Sequence, residues 1–165
     1  IPRATHAHPD GDAFAFDGHS VRVISIPGHT LGAIAFVVDG ALFSGDTLFL
    51  GGCGRVFEGT MSMMAESMRI LRELDPALRV YCGHEYTAAN LRFARTVEPD
   101  NAAVVRALED ATAKSEAGTP SVPGTLATEL LVNPFLRFDR PELAAGVSDD
   151  TSFARLREAK NDFRG

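Results

Sequence analysis

Residues 20–47, SVRVISIPGHTLGAIAFVVDGALFSGDT, carry the grammar from which the fold is read. Ser20 to Ile26 reads as a strand that runs into Pro27-Gly28-His29-Thr30. Ala33 to Val38 and Ala41 to Ser44 read as two more strands, separated by Asp39-Gly40. An Asp-Gly step supplies the φ > 0 backbone that a two-residue hairpin turn needs, so the flanking runs pair antiparallel. Working outward, Ala13 to Phe16 joins Ser20 to Ile26 through Asp17-Gly18 and repeats the pattern. Downstream, Met63 to Leu74 reads as a helix because Met64, Met68 and Leu71 recur at i, i+4 and i+7, with Thr60 or Ser62 available as cap. Asp75-Pro76 stops it, Leu78 to Cys82 is a short buried strand, and Thr87 to Val97 is another helix.

Near Asn101 the composition changes. Short apolar runs and Gly-rich turns give way to Ala, Glu, Arg and Leu, with Val104, Leu108 and Ala111 on one helix face and Gly118 where that helix would end. Thr119 to Gly124, with two prolines, is a connector, and Thr151 to Lys160 is a last helix with Phe153 and Leu156 inward. The chain thus divides into residues 1–98, a layer of strands and helices, and residues 99–165, a helical lobe.

Of the 165 residues 45% are hydrophobic and 23% charged, enough to bury a core. Sixteen Lys and Arg against twenty-two Asp and Glu leave a net charge of −6, which argues against a nucleic-acid module. No run of about 18 apolar residues exists to span a membrane. Two cysteines suit a reducing compartment, here the cytoplasm. Cys53 and Cys82 read as small buried thiols, and Met61, Met63, Met64 and Met68 as core filler. The chain opens on Ile1-Pro2-Arg3, so it is expected to be a processed product or a fragment.

Three turns stand out: Pro27-Gly28-His29-Thr30, Gly45-Asp46-Thr47 and Gly83-His84-Glu85-Tyr86. Each ends a strand with a Gly followed by a metal-capable side chain. The Gly lets the backbone bend tightly, so that the side chain can project from the strand end toward a common point. Two imidazoles and a carboxylate suit zinc, iron or manganese.

These turns, together with Gly51-Gly52-Cys53-Gly54-Arg55, Phe57-Glu58-Gly59-Thr60, Asn133-Pro134-Phe135-Leu136-Arg137 and Arg157-Glu158-Ala159-Lys160, resemble glyoxalase II, the hydroxyacylglutathione hydrolase family of the metallo-β-lactamase superfamily. The resemblance implies an α/β (α+β) fold, an αββα sandwich of the metallo-β-lactamase type, of which this chain carries the second half followed by a C-terminal helical lobe. It implies two divalent metal ions, zinc foremost with iron or manganese also suited. His29 would ligate one and His84 the other, and Asp46 would bridge both and orient the hydroxide held between them. That hydroxide would attack the thioester of S-D-lactoylglutathione and release glutathione and D-lactate, a step of methylglyoxal detoxification. Arg55, Phe57, Tyr86, Arg157 and Lys160 match positions that hold the glutathione moiety. Arg55 stands where many relatives have Lys, and Phe57 where some have Tyr.

The family's main ligand motif is Thr-His-x-His-x-Asp-His. Thr5-His6-Ala7-His8-Pro9-Asp10-Gly11 imitates it, but Gly11 takes the place of the last ligand and no buried strand precedes it. This stretch reads instead as an exposed polar loop leading into the first hairpin. The chain alone is therefore expected to bind metal weakly, to hydrolyse nothing measurable, and to leave sheet edges and one core face uncovered. Two rivals stay open: a mono-iron oxidoreductase like the persulfide dioxygenases, which share Pro-Gly-His-Thr and Gly-Cys-Gly-Arg, and a non-catalytic remnant of the fold. The small-molecule thioester is the expected partner, with no nucleic acid and no membrane. The sequence leaves the oligomeric state open.

Overall fold

The structure is a computed structural model and describes residues 7–165. Strands β1 (Ala13–Phe16), β2 (His19–Ser25), β3 (Ile34–Val38) and β4 (Ala41–Gly45) form an antiparallel meander. Its first and third connections turn on Asp-Gly pairs, with φ of 47° and 82° at Asp17 and Gly18 and of 47° and 72° at Asp39 and Gly40. Two consecutive positive φ angles make the turn whose twist matches that of the strands, and this turn pins the register. After β4 the chain makes a short ribbon, β5 (Leu48–Phe49) and β6 (Gly52–Cys53), then helix α1 (Met61–Arg72). It returns as β7 (Arg79–Cys82), parallel to β4.

Helices α2 (Thr87–Val97) and α3 (Ala102–Glu116) follow, then β8 (Gly124–Thr125), α4 (Leu126–Val132), α5 (Pro141–Ala144) and α6 (Asp149–Asp162). β8 pairs antiparallel with β7, which gives a six-stranded mixed sheet of order β1-β2-β3-β4-β7-β8. Among the described residues no helix is long and apolar enough to cross a membrane.

One face of the sheet presents Ile24, Ala35, Leu42 and Val80 to Met64, Met68 and Leu71 of α1 and to Phe135, Phe138 and Phe153 from the C-terminal region. Those three rings are fully buried, and Phe153 meets the other two edge-on at 5.7 and 5.5 Å, the arrangement that aromatic quadrupoles favour. A smaller cluster, Leu91, Ala94, Val104, Ala111 and Val132, joins α2, α3 and α4. Arg69 ties α1 to α6: it donates to Asp150 at 2.7 Å while its guanidinium lies 5.2 Å from the centre of the Phe138 ring. The opposite sheet face carries Phe36, Phe43 and Tyr81 in cross-strand register, and Phe43 remains 43% exposed.

The sequence reading needs adjusting at several points. Helix α1 begins two residues earlier and ends two earlier than the apolar spacing suggests, because the Thr60 hydroxyl accepts from the Met63 amide and caps it there. Ser62 does not cap; its hydroxyl bonds Asp150. Met64 and Met68 are core, but Met63 points to solvent, one position off the buried stripe. Cys53 is buried as expected and Cys82 only half-buried. His8 is not a free loop side chain: it is half-buried, bonded to Asp12 at 2.8 Å and stacked on Phe14 at 4.2 Å. Thr5 and His6 lie outside the described residues. The ribbon β5–β6 and strand β8 have two residues per strand, too short for any periodicity to announce.

The ribbon is held from the C-terminal side by buried polar groups. Asn133 donates its amide to Phe49 O at 3.1 Å and Gly52 O at 3.0 Å, and Asn90 donates to Leu50 O at 3.1 Å. Glu129, 3% exposed, accepts from the Gly51 amide at 2.7 Å and from Asn133 at 2.9 Å. Burial pushes the Glu129 carboxyl up to about 7 despite these two donors. The folded protein therefore holds the proton more tightly than the unfolded chain does. Stability is unaffected below the ordinary carboxyl value, falls as pH rises through the interval up to about 7, and is level above it. Glu129→Gln keeps both acceptor contacts and removes the ionisation. It should match wild type in urea unfolding at pH 4 and exceed it by about 1–3 kcal/mol at pH 8. Parallel pH curves for the two proteins would contradict this.

Candidate functional site

The three Gly-containing turns meet at one end of the sheet. Parallel pairing of β4 with β7 puts their C-terminal ends side by side, so Gly45-Asp46 and Gly83-His84 leave the sheet together, joined by Gly83 N donating to Gly45 O at 2.9 Å. The turn after β2 comes in from the other side. It is fixed to α1 by the Ser67 hydroxyl, which donates to Pro27 O at 2.7 Å.

His29 Nε2 lies 3.7 Å from Asp46 Oδ2 and His84 Nε2 lies 3.5 Å from the same oxygen. Both separations exceed ordinary hydrogen-bond length. They suit two donors on one ion, since bonds of about 2.0–2.2 Å at a tetrahedral angle leave donors about 3.3–3.5 Å apart. The other nitrogen of His29, Nδ1, bonds Arg55 O at 2.8 Å, which as an N–H donor leaves Nε2 with its lone pair toward Asp46. Among the described residues no group of three or more His, Cys, Asp or Glu is arranged to hold a single ion. The donor chemistry and the two pair distances suit metal, but three donors shared over two ions would fall short of the roughly three per ion that catalytic zinc takes.

Close backbone approach makes this convergence possible at two glycines. A Cβ on Gly83 would stand 2.2 Å from Asp46 Oδ1, and one on Gly54 would stand 1.9 Å from Asp46 O and 3.1 Å from His29 Nδ1.

An open cleft of about 570 Å³ extends from these three side chains and is lined also by Arg55, Phe57, Tyr86, Arg157 and Lys160. All eight side chains expected from the sequence thus border one cavity. Phe57, 67% exposed, leans over His29 with ring centres 5.1 Å apart, and Tyr86 stacks on His84 at 5.0 Å. Phe49 meets the Tyr86 ring edge-on at 5.4 Å. Arg55 is exposed.

Arg157 is not a solvated helix end. It is 4% exposed, donates Nη1 to Cys53 O at 2.7 Å and Nη2 to Asn161 at 3.2 Å, and lies 5.2 Å from the centre of the Phe135 ring. Among the described residues its buried Nε has no hydrogen-bond partner. Burial, then the neighbouring Arg157 and Arg92 charges, lower Lys160 to about 8. Sequence reasoning missed Asn90, Asn161, Phe49 and Phe163, which also line the cleft and whose only signal would have been their neighbours in space.

The fold and the cleft at the strand ends place the chain in the metallo-β-lactamase class. The ETHE1 crystal structure from Myxococcus xanthus superposes with a TM-score of 0.64 at 24% identity, over 99% of this chain and 56% of that one. A metallo-beta-lactamase from Staphylococcus aureus superposes at 0.63 with 19% identity, over 100% of this chain and 41% of that one. At such identities these likenesses establish the fold alone. Residues 5–84 match the model of the metallo-beta-lactamase superfamily, and residues 85–163 match that of the hydroxyacylglutathione hydrolase C-terminus.

Among curated proteins, hydroxyacylglutathione hydrolases from a Synechococcus strain and from Photobacterium profundum are 47% and 43% identical, each over 99% of this chain and over 67% and 68% of their own lengths. One from Rhodopseudomonas palustris is 50% identical over 92% of this chain and 62% of its own length. The chain belongs to the hydroxyacylglutathione hydrolase family and spans about two thirds of the length of these relatives.

Gly83→Ala should fold but displace the Asp46 carboxylate, moving the imidazole resonances of both His29 and His84 in nitrogen-detected NMR. Gly118→Ala is the control. It sits at φ 66° with open space around it, costs about 1–2 kcal/mol of backbone strain, and should leave those resonances in place. Unmoved histidines in Gly83→Ala would refute the close approach.

Proposed function

We propose that the protein of which these residues form part hydrolyses the thioester of hydroxyacylglutathione, S-D-lactoylglutathione foremost, to glutathione and D-lactate. One observation carries the reading: two imidazoles approach the same Asp46 oxygen in a cleft that Arg55, Arg157 and Lys160 also line. His29, Asp46 and His84 would hold divalent metal, zinc foremost, with further donors completing the set. Bound there, such ions supply an activated water and polarise the thioester carbonyl. Asp46, facing both imidazoles, would hold the reacting centre in register between them. The Arg55 carbonyl keeps His29 turned inward.

The substrate is an anion, and an acidic chain must offer it local positive charge. Arg55, Arg157 and Lys160, which all line the cleft, do so. Tyr86 offers a hydroxyl from its place on His84. Phe57 offers apolar contact only, so binding leans on charge where a tyrosine would add a hydrogen bond. In this reading residues 1–98 bring the metal donors and residues 99–165 bring Arg157 and Lys160. The cytoplasm, which keeps Cys53 and Cys82 reduced, suits it.

These 165 residues alone should take up glutathione but not turn over its thioester when zinc is supplied. Calorimetric titration with glutathione should detect binding that Lys160→Ala weakens about tenfold. Absence of binding by the wild-type chain would sink the assignment of the cleft. Turnover lost in His84→Ala would mean that the three donors suffice.

A further inference from the structure

The two-residue strands β5 and β6 wall the cleft through Phe49 and Cys53 but cannot hold themselves. Their ladder consists of two pairs, Leu48 with Cys53 and Phe49 with Gly52, and an isolated ribbon of that size is not stable in water. We propose that Glu129 of α4 and Asn133, which caps the C-terminus of that helix, are positioning residues that set the shape of the substrate cleft by fixing the backbone of residues 49–52. The proposal rests on the reading above that the cleft receives glutathione.

Neither side chain borders the cleft. Yet Asn133 holds the carbonyls of Phe49 and Gly52, and Glu129 holds the amide of Gly51 between them. The Asn133 Oδ1 is fixed in turn by the Phe135 amide at 3.0 Å, so the amide has one usable orientation. Three walls of the cleft hang from this ribbon. Phe49 packs on Tyr86 and His84. The Cys53 carbonyl receives the Arg157 guanidinium. Two residues on, the Arg55 carbonyl orients His29.

A shift of the ribbon would therefore move an aromatic wall, a buried cation and a metal-facing imidazole together. A plug serving the core alone would be cheaper as apolar side chains, since a buried carboxylate carries a desolvation penalty. The half-buried Cys82 thiol of β7 faces Glu129, and its burial, with the Glu129 charge acting in the same sense, holds that thiol protonated.

The test uses the 165-residue chain, with two readouts: amide hydrogen exchange of residues 51–55 and calorimetric titration with glutathione. Glu129→Ala and Asn133→Ala should speed exchange across 51–55 and weaken glutathione about tenfold. Glu129→Gln, which preserves the acceptor, should restore both. Val23→Ala in β2, two strands from β4 in the sheet, removes buried methyl groups away from the ribbon and should lower Tm while sparing both readouts. If Asn133→Ala does not fold, Asn133→Asp, which loses the amide donors at constant size, takes its place.

The proposal is overturned if the Glu129 and Asn133 variants lose as much Tm as Val23→Ala but keep wild-type exchange at 51–55 and an affinity within about twofold. Should the wild-type chain not bind glutathione, the functional reading falls. The exchange comparison, with the Glu129→Gln rescue, then decides the positioning role by itself.

Discussion

The parallel pairing of β4 with β7 is the constraint on which the rest of this molecule depends. Successive strands of the meander run antiparallel, so their C-terminal ends alternate between the two ends of the sheet. One parallel pair, made possible by the excursion through β5, β6 and α1, brings two successive C-terminal ends to the same place. Clefts at the carboxyl ends of parallel strands are where α/β proteins put their ligands, because loops leaving adjacent strands can converge there. In this chain those loops are Gly45-Asp46 and Gly83-His84. The amide of Gly83 and the carbonyl of Gly45 tie them directly.

Around that junction the structure trades stability for placement. Gly28, Gly54 and Gly83 approach other groups more closely than any Cβ would permit, so none can be replaced without moving Met64, Asp46 or His29. Arg157 sits buried with one nitrogen unpartnered among the described residues, and Glu129 sits buried with a carboxyl that resists ionisation. Such groups are unfavourable in a core and become intelligible where a ligand's charge or a fixed wall is wanted. The aromatic packing of Phe135, Phe138 and Phe153 supplies the apolar burial that offsets them.

Much of this was legible beforehand. The Asp-Gly hairpins could be placed because two positive φ angles in a row are a local demand that few dipeptides meet. α2 is legible because Thr87 to Val97 carries a regular apolar stripe. The eight residues expected to face one site do border one cleft, since each lies in a stretch resembling the hydroxyacylglutathione hydrolases. The ends of α1 were misplaced because the apolar spacing marks a face and not a terminus; the Thr60 cap decided it. Met63 was read inward for its chemistry, yet a single step of 100° around the helix put it in water.

What the sequence determined by itself was local: turn chemistry, helix faces, the presence of two imidazoles and an aspartate each preceded by a glycine. Those features depend on a few neighbouring residues, and neighbours are what a linear text records. Only tertiary structure decided that Asn133 would hold the carbonyls of Phe49 and Gly52, more than eighty positions away, or that Arg157 would be drawn under the ribbon to the Cys53 carbonyl. Such contacts satisfy backbone groups that a two-residue ribbon cannot pair for itself. Their partners are chosen by whichever helix the packing of the core brings alongside, and no spacing along the chain encodes that.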